Sequence, residues 1–314
     1  MKKYFNYVLM FFAVISLGLS VTSCSNDEDE GGTGSLDTPK YEQDAAKYVI
    51  DGGIYSSIEF TASGNYIIVT DGYNSYRSES MARETPAASK QAIFNGKHFS
   101  TRAYSPILYG TYIKTGENEY LLEGFGKIKV VQDGSGNAYS LEVTPTGGST
   151  ETLSATKQNA DLNSDLSNRL CRTWKISKMR MLVKVEGQIM MDVSGSNYEE
   201  LSESIKRWAI NNGADPEDIE DFIISEDGEW PEQVVFTKSG TYMVYYSSAE
   251  LAISTWAWEN EKNGILMYSW TNDFEPGWYS TVKVDFSGSQ CVITESYGED
   301  GMVIDMIYYL TEVK

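Results

Sequence analysis

Residues 234–270 read VVFTKSGTYMVYYSSAELAISTWAWENEKNGILMYSW. Runs of strand formers alternate here with short polar breaks. Val234 to Thr237 and Thr241 to Tyr246 flank Lys238-Ser239-Gly240, and Ile253 to Trp258 and Ile265 to Trp270 flank a turn with Asn263-Gly264. β-Branched and aromatic side chains suit a pleated, half-buried surface, and Gly supplies the positive φ that tight hairpins need. The stretch therefore predicts consecutive antiparallel hairpins.

The pattern continues on both sides. Downstream, Tyr279 to Phe286 and Cys291 to Ser296 flank Ser287-Gly288-Ser289, and Met302 to Leu310 forms the last run. Upstream, Trp174 to Val185 is rich in strand formers. About eight antiparallel strands joined by tight turns predict an up-and-down barrel. Between the first strand and the second the period becomes helical. Ser196-Asn197-Tyr198-Glu199 reads as a capping box with Ser196 at the N-cap, followed by Tyr198, Leu201, Ile205 and Trp208 on one face, with Gly213 ending the helix. Asp215-Pro216-Glu217-Asp218 starts a second helix, with Ile219, Phe222 and Ile223 as its apolar stripe. A helical hairpin is expected there.

Residues 170–314 resemble the lipocalin-like domains of Bacteroidetes lipoproteins. The resemblance is carried by Leu170-Cys171-Arg172-Thr173-Trp174-Lys175, by the Phe236 to Tyr242 hairpin and by Thr255-Trp256-Ala257-Trp258. Lipocalins usually place Gly two residues before that Trp, where this chain has Arg172. The helix pair is similar to that of fatty-acid-binding proteins, where it lids the barrel mouth. The resemblance implies a calycin-type barrel and a ligand cavity.

A second β domain is expected upstream. Phe60-Thr61-Ala62-Ser63-Gly64-Asn65-Tyr66 recurs as Phe236-Thr237-Lys238-Ser239-Gly240-Thr241-Tyr242, and Gly110-Thr111-Tyr112 answers Ser254-Thr255-Trp256. Two related β domains follow from this echo, with convergent hairpin chemistry as the alternative. Strands are predicted at Ile54 to Thr61, Asn65 to Thr70, Leu108 to Lys114, Tyr120 to Leu122, Lys127 to Val131 and Tyr139 to Val143. Whether they close into a barrel is left open. Asp71 to Ser105 lacks periodicity and is locally basic, which reads as a flexible loop, with docking on the acidic helix pair of the second domain as the alternative. All seven Trp residues lie from Trp174 onward, so composition shifts across the polar Thr156 to Asn168 segment. The domains are drawn at 40–157 and 166–314.

The N-terminus supplies an address. Lys2 and Lys3 precede an apolar run from Tyr7 to Leu19, about 13 residues, short of the roughly 20 needed to span a bilayer. Val21-Thr22-Ser23-Cys24 resembles the bacterial lipoprotein box, with Val in place of the usual Leu. Residues 1–23 are therefore expected to be a signal peptide, with lipidation at Cys24 as the membrane tether. Asp27-Glu28-Asp29-Glu30 must stay solvated, and residues 24–39 read as an acidic, flexible tether. The Cys-Ser-acidic run looks like the surface-export signal of Bacteroidetes lipoproteins, which implies display on the outer face of the outer membrane.

The chain carries −20, and loss of Lys2 and Lys3 with the signal segment takes it to −22. Such a charge argues against nucleic-acid binding by phosphate neutralisation. Cys171 and Cys291 stand near strand starts; if those strands flank a third, their spacing is roughly 10 Å, beyond the ~7 Å limit for a disulfide. Two buried thiols are expected ahead of a disulfide.

Chemistry for catalysis is sparse. His98 is the sole histidine, no nucleophile-elbow motif is present, and no His or Cys cluster suits zinc. The chain is read as non-enzymatic, with no cofactor. The acidic run from Ser196 to Trp230 is read as a solvated face in preference to a metal site. Residues two apart in a strand share a face, so Trp256 with Trp258, and Tyr268 with Trp270, point together, and Met302, Ile304, Met306, Tyr308 and Leu310 line one face of the last strand. Trp256, Trp258, Tyr268, Trp270 and Tyr308 are the candidate ligand-binding residues, with a filled aromatic core as the alternative. The last strand has no Arg to hold a carboxylate and offers Asp305, which favours a small neutral, apolar or cationic guest. The competing expectation is a structural or interaction lipoprotein, an accessory subunit bound to an outer-membrane protein.

Overall fold

The computed structural model describes residues 36–71, 99–100, 106–134, 136–158, 162–215, 231–248, 250–269, 274–275, 279–299 and 301–313. Two closed, antiparallel, eight-stranded barrels follow one another along the chain. Among the described residues no helix is long and apolar enough to cross a membrane.

The first barrel runs through β1 (Ala46–Ile50), β2 (Tyr55–Phe60), β3 (Asn65–Thr70), β5 (Ile107–Gly116), β6 (Glu119–Leu122), β7 (Gly126–Gln132), β8 (Ala138–Pro145) and β9 (Glu151–Lys157), and closes by pairing β1 with β9. The sequence reading omitted β1 and β9. Only Ala155 of β9 is buried, so period two has no apolar signature there. Phe60, Tyr112 and Tyr120 fill the interior, with Phe60 edge-on to Tyr112 at 5.1 Å. β4 (Phe99–Ser100) leaves this barrel and pairs with Glu250 and Leu251 of the second. Those are the only described residues between Asp71 and Pro106 apart from Asp71 itself; the rest of the basic segment lies outside the described residues.

The second barrel comprises β10 (Thr173–Val185), β12 (Pro231–Phe236), β13 (Thr241–Tyr246), β14 (Glu250–Asn260), β15 (Ile265–Ser269), β16 (Ser280–Ser287), β17 (Gln290–Glu299) and β18 (Met302–Glu312). β18 pairs with β10 to close it. One strand departs from expectation. β11 (Gln188–Gly195) folds back on the upper part of β10 through a turn in which Glu186 (φ 49°) and Gly187 (φ 79°) are both left-handed. That is the geometry of a two-residue hairpin turn whose twist matches its strands. Only Met191 of β11 is buried, so its apolar pattern is faint.

Two helices are described. α1 (Asp165–Leu170) is capped by Ser164, whose side chain accepts from the Ser167 N–H. α2 (Tyr198–Asn211) lies between the first and second barrel strands, as expected. Its N-cap is Asn197, not Ser196: Asn197 Oδ1 accepts from Glu200 N at 2.8 Å. Glu200 reaches back past the cap to the Ser196 N–H at 2.9 Å, so the helix starts one residue later than read and its Glu bonds the residue before the cap. Gly213 follows the helix at φ 94°. The second helix expected from Asp215 falls on 216–230, outside the described residues.

The two echo hairpins are the same structure. Thr61 Oγ1 accepts from Asn65 N and Thr237 Oγ1 from Thr241 N, each at 3.0 Å. Gly64 (φ 88°) and Gly240 (φ 79°) occupy the same left-handed turn position, which a side chain would strain. Their carbonyls accept from Tyr112 N at 2.8 Å and Trp256 N at 2.9 Å. Register agrees too: Asn65 pairs with Thr111 as Thr241 pairs with Thr255. The Gly110-Thr111-Tyr112 equivalence with Ser254-Thr255-Trp256 therefore extends to hydrogen bonding.

Candidate functional site

The interior of the second barrel has a floor, a polar middle and a covered mouth. At the floor, three indole N–H groups are spent on protein acceptors. Trp174 donates to Leu170 O at 2.8 Å, Trp258 to Ser167 Oγ at 2.9 Å and Trp256 to Thr237 O at 3.1 Å. Trp256 stands edge-on to both Phe236 and Trp258, at 5.7 and 5.5 Å. α1 thus plugs this end. Arg172 completes it, 4% exposed, with Nη1 donating to Glu312 and to Asp37 O, both at 2.6 Å. A buried guanidinium needs such charge-assisted partners.

The middle holds a carboxylate. Cys291, Ile293, Glu295 and Tyr297 alternate along the inward face of β17, and Glu295 is 3% exposed. Tyr268 Oη donates to Glu295 Oε1 at 2.5 Å. Tyr242 meets Tyr268 at 6.4 Å between ring centroids. Burial first, then the Glu295 carboxylate, pushes the Tyr268 phenol well above its ordinary range. Burial likewise raises Tyr242 and Tyr308, with the Glu295 charge a lesser contributor. A buried carboxyl group is costly without a hydrogen-bond partner, and the Tyr268 phenol, kept protonated, supplies one.

The mouth is covered by α2. Leu201 and Ile205 are buried in the barrel's own core cluster, and Tyr198 packs against it. Burial, then the Glu295 charge, raises the Tyr198 phenol, which ties the start of α2 electrostatically to the polar middle. Ser204 Oγ donates to Ser194 O at 3.0 Å and seats the helix on β11.

Trp256, Tyr268 and Tyr308 share one core cluster, Trp258 packs against it, and Trp256 lies directly opposite Tyr268 across β14 and β15. Met302, Ile304, Met306 and Leu310 face the same interior. Trp270 and Cys24 lie outside the described residues. Asp305 requires a correction. It points out of the barrel, where it pairs with Lys184 at 3.0 Å and accepts from Ser296 Oγ at 2.6 Å. Even-numbered β18 residues face inward, so an odd-numbered one cannot serve a guest there. The interior acid is Glu295, which the sequence reading missed. Among the described residues no group of His, Cys, Asp or Glu is placed to hold a metal ion.

No protein-family model matches the chain, and no curated protein matches its sequence.

Proposed function

We propose that this is a lipid-anchored, cell-surface binding protein of the outer membrane, tethered through Cys24, that takes a small neutral or apolar ligand in its C-terminal barrel without catalysing a reaction. The observation that carries the reading is Glu295. An inward carboxyl group held by Tyr268, beneath a helix and above a sealed floor, is an acceptor built into an otherwise aromatic and aliphatic interior. Ligand sites commonly combine apolar walls with a few convergent polar groups. A guest with a hydroxyl or other donor matches Glu295, whereas the last strand, Met302 to Leu310, has no Arg to hold a fatty-acid carboxylate.

The mature chain with Cys24 removed is titrated with a neutral sterol and with oleate, following Trp fluorescence. Saturable sterol binding, weakened in Glu295→Gln, is expected. Tight oleate binding with no sterol binding overturns the ligand class. For the tether, Cys24→Ala should release the protein from membranes, and protease added to intact cells should digest the native form. Retention of Cys24→Ala on membranes would count against it.

A second reading is supported by ring packing. Trp174, Trp256, Tyr242, Tyr246 and Tyr268 rank among the largest fully buried side chains. Rings this closely packed also suit a structural or interaction lipoprotein, an accessory subunit of an outer-membrane assembly. Absence of saturable small-molecule binding, with co-purification of one outer-membrane protein, would select it.

A further inference from the structure

The contact between the barrels is reciprocal. Lys47 lies opposite Glu59 in the first barrel as Thr173 lies opposite Val235 in the second, and the echo makes Asn65 the equivalent of Thr241. Lys47 Nζ donates to Thr241 Oγ1 at 3.1 Å, and Thr173 Oγ1 donates to Asn65 Oδ1 at 2.7 Å. Each barrel therefore sends the same first-strand position to the same turn position of the other. The turn serines also cross the contact, though to neighbouring and not equivalent positions: Ser63 Oγ accepts from Thr173 N at 2.9 Å, and Ser239 Oγ donates to Glu59, which lies opposite Lys47.

The apolar contact obeys the same exchange. Register equates Ile67 with Met243, Ile107 with Leu251 and Tyr109 with Ile253. All six belong to or pack against one cluster formed by the outer faces of β3, β5, β13 and β14. A cleft of about 30 Å³, room for one or two waters, is bordered by the equivalent pairs Phe60 and Phe236, and Thr61 and Thr237. When residue i meets j and the equivalent of j meets the equivalent of i, the interface is isologous, the geometry of a two-fold dimer.

We infer that the outer face of β3 and β5, repeated as the outer face of β13 and β14, is a self-complementary docking surface whose fitting partner is another barrel of the same kind, so that this chain is a covalent dimer of two copies of one unit. In this chain the surface is occupied by its own duplicate and is closed to other proteins. The linker raises the effective concentration of the second barrel, so docking needs no second chain.

The test uses the full chain without Cys24. The first barrel carries no Trp, so Trp fluorescence follows the second barrel alone while far-UV circular dichroism follows both. In the wild type the two urea transitions should coincide. Ile67→Asp and Met243→Asp, at equivalent positions on opposite sides, should each separate them and raise the radius of gyration by similar amounts. If either Asp variant does not fold, Ile67→Ala and Met243→Ala are read with the same probes, with smaller separations expected. Ile113→Asp, on an exposed outer position away from the contact, should leave the transitions coincident. Transitions already separate in the wild type, or an effect from only one member of the equivalent pair, would overturn the inference.

Discussion

Tyr112 and Trp256 do the same work in two different barrels. Tyr112 Oη donates to Thr61 O at 2.9 Å, and Trp256 Nε1 donates to Thr237 O at 3.1 Å. Each ring stands edge-on to the Phe that opens the preceding hairpin turn, Phe60 or Phe236, at 81° and 89°. A phenol and an indole thus satisfy the same turn carbonyl. The polar tip fixes the ring, and the ring closes the end of the barrel.

Removing the tip and removing the ring should differ in cost. Tyr112→Phe keeps the ring and removes one of two donors to the Thr61 carbonyl, which still accepts from Gly64 N at 3.2 Å, so the loss of one hydrogen bond, about 0.5–1.5 kcal/mol, is expected. Trp256→Phe loses the donor and also leaves a void, so roughly 2–4 kcal/mol is expected. Urea midpoints followed by circular dichroism check both. A Tyr112→Phe variant as stable as the wild type would show that the Gly64 N–H alone satisfies the carbonyl, and that the echo is geometric without being energetic.

Cys171 and Cys291 are both buried and unpaired in a disulfide, and burial pushes both thiols up. Cys291 stands on β17, and Cys171, at the C-cap of α1, leads into β10; those two strands flank β18, so a third strand separates them as the sequence suggested. Thiolate is the reactive form, so a protonated, buried thiol should be inert. In the chain lacking Cys24, an aromatic disulfide reagent should titrate no thiol in the native protein and two after denaturation. A fast-reacting thiol in the native state would contradict the packing of the floor.

The second barrel was legible because its inward residues alternate strongly. Trp256 and Trp258, and Met302 through Leu310, point where period two puts them. β9 and β11 were not legible, because each buries almost nothing and is held by ladder hydrogen bonds that carry no side-chain signature. Glu295 escaped for another reason. An acid in a strand of an acidic protein reads as solvent-facing, and only the pairing of Ile293 and Tyr308 across β17 and β18 shows which face is inside. The docking of the barrels was invisible too, since Ile67 and Met243 look like second core faces until both barrels are closed.

The tyrosines set the alkaline limit. Tyr242, Tyr268 and Tyr308 all have folded-state values well above the ordinary 10.0, chiefly through burial. Between about pH 10 and the folded values the native state holds protons that the unfolded state releases, so stability falls as pH rises. Their contribution is intact below about pH 10, and above it three such groups together remove roughly 4 kcal/mol per pH unit. Tyrosinate absorbance should rise in one cooperative step that coincides with loss of the Trp signal. Smooth ionisation of most tyrosines in a protein that stays folded would refute the enclosure of these phenols.

Gly195 decides how closely α2 sits on β11. A Cβ at this position would fall 2.4 Å from Leu201 N and 2.8 Å from the Glu200 carbonyl carbon, backbone atoms that cannot swing away. Gly195→Ala must therefore lift the first turn of the helix, drawing Leu201 out of the core cluster and loosening the Asn197 cap. Overpacking of this kind costs about 1–3 kcal/mol. Faster amide exchange is expected across residues 198–211, while β14 and β15 remain protected, because the floor is held separately by Trp256 and Trp258. If a ligand reaches Glu295 past this helix, the same variant should speed both its entry and its escape while changing affinity less. Unchanged exchange in α2 would show that the helix is seated by its other contacts, with the Ser204 to Ser194 bond the first to examine.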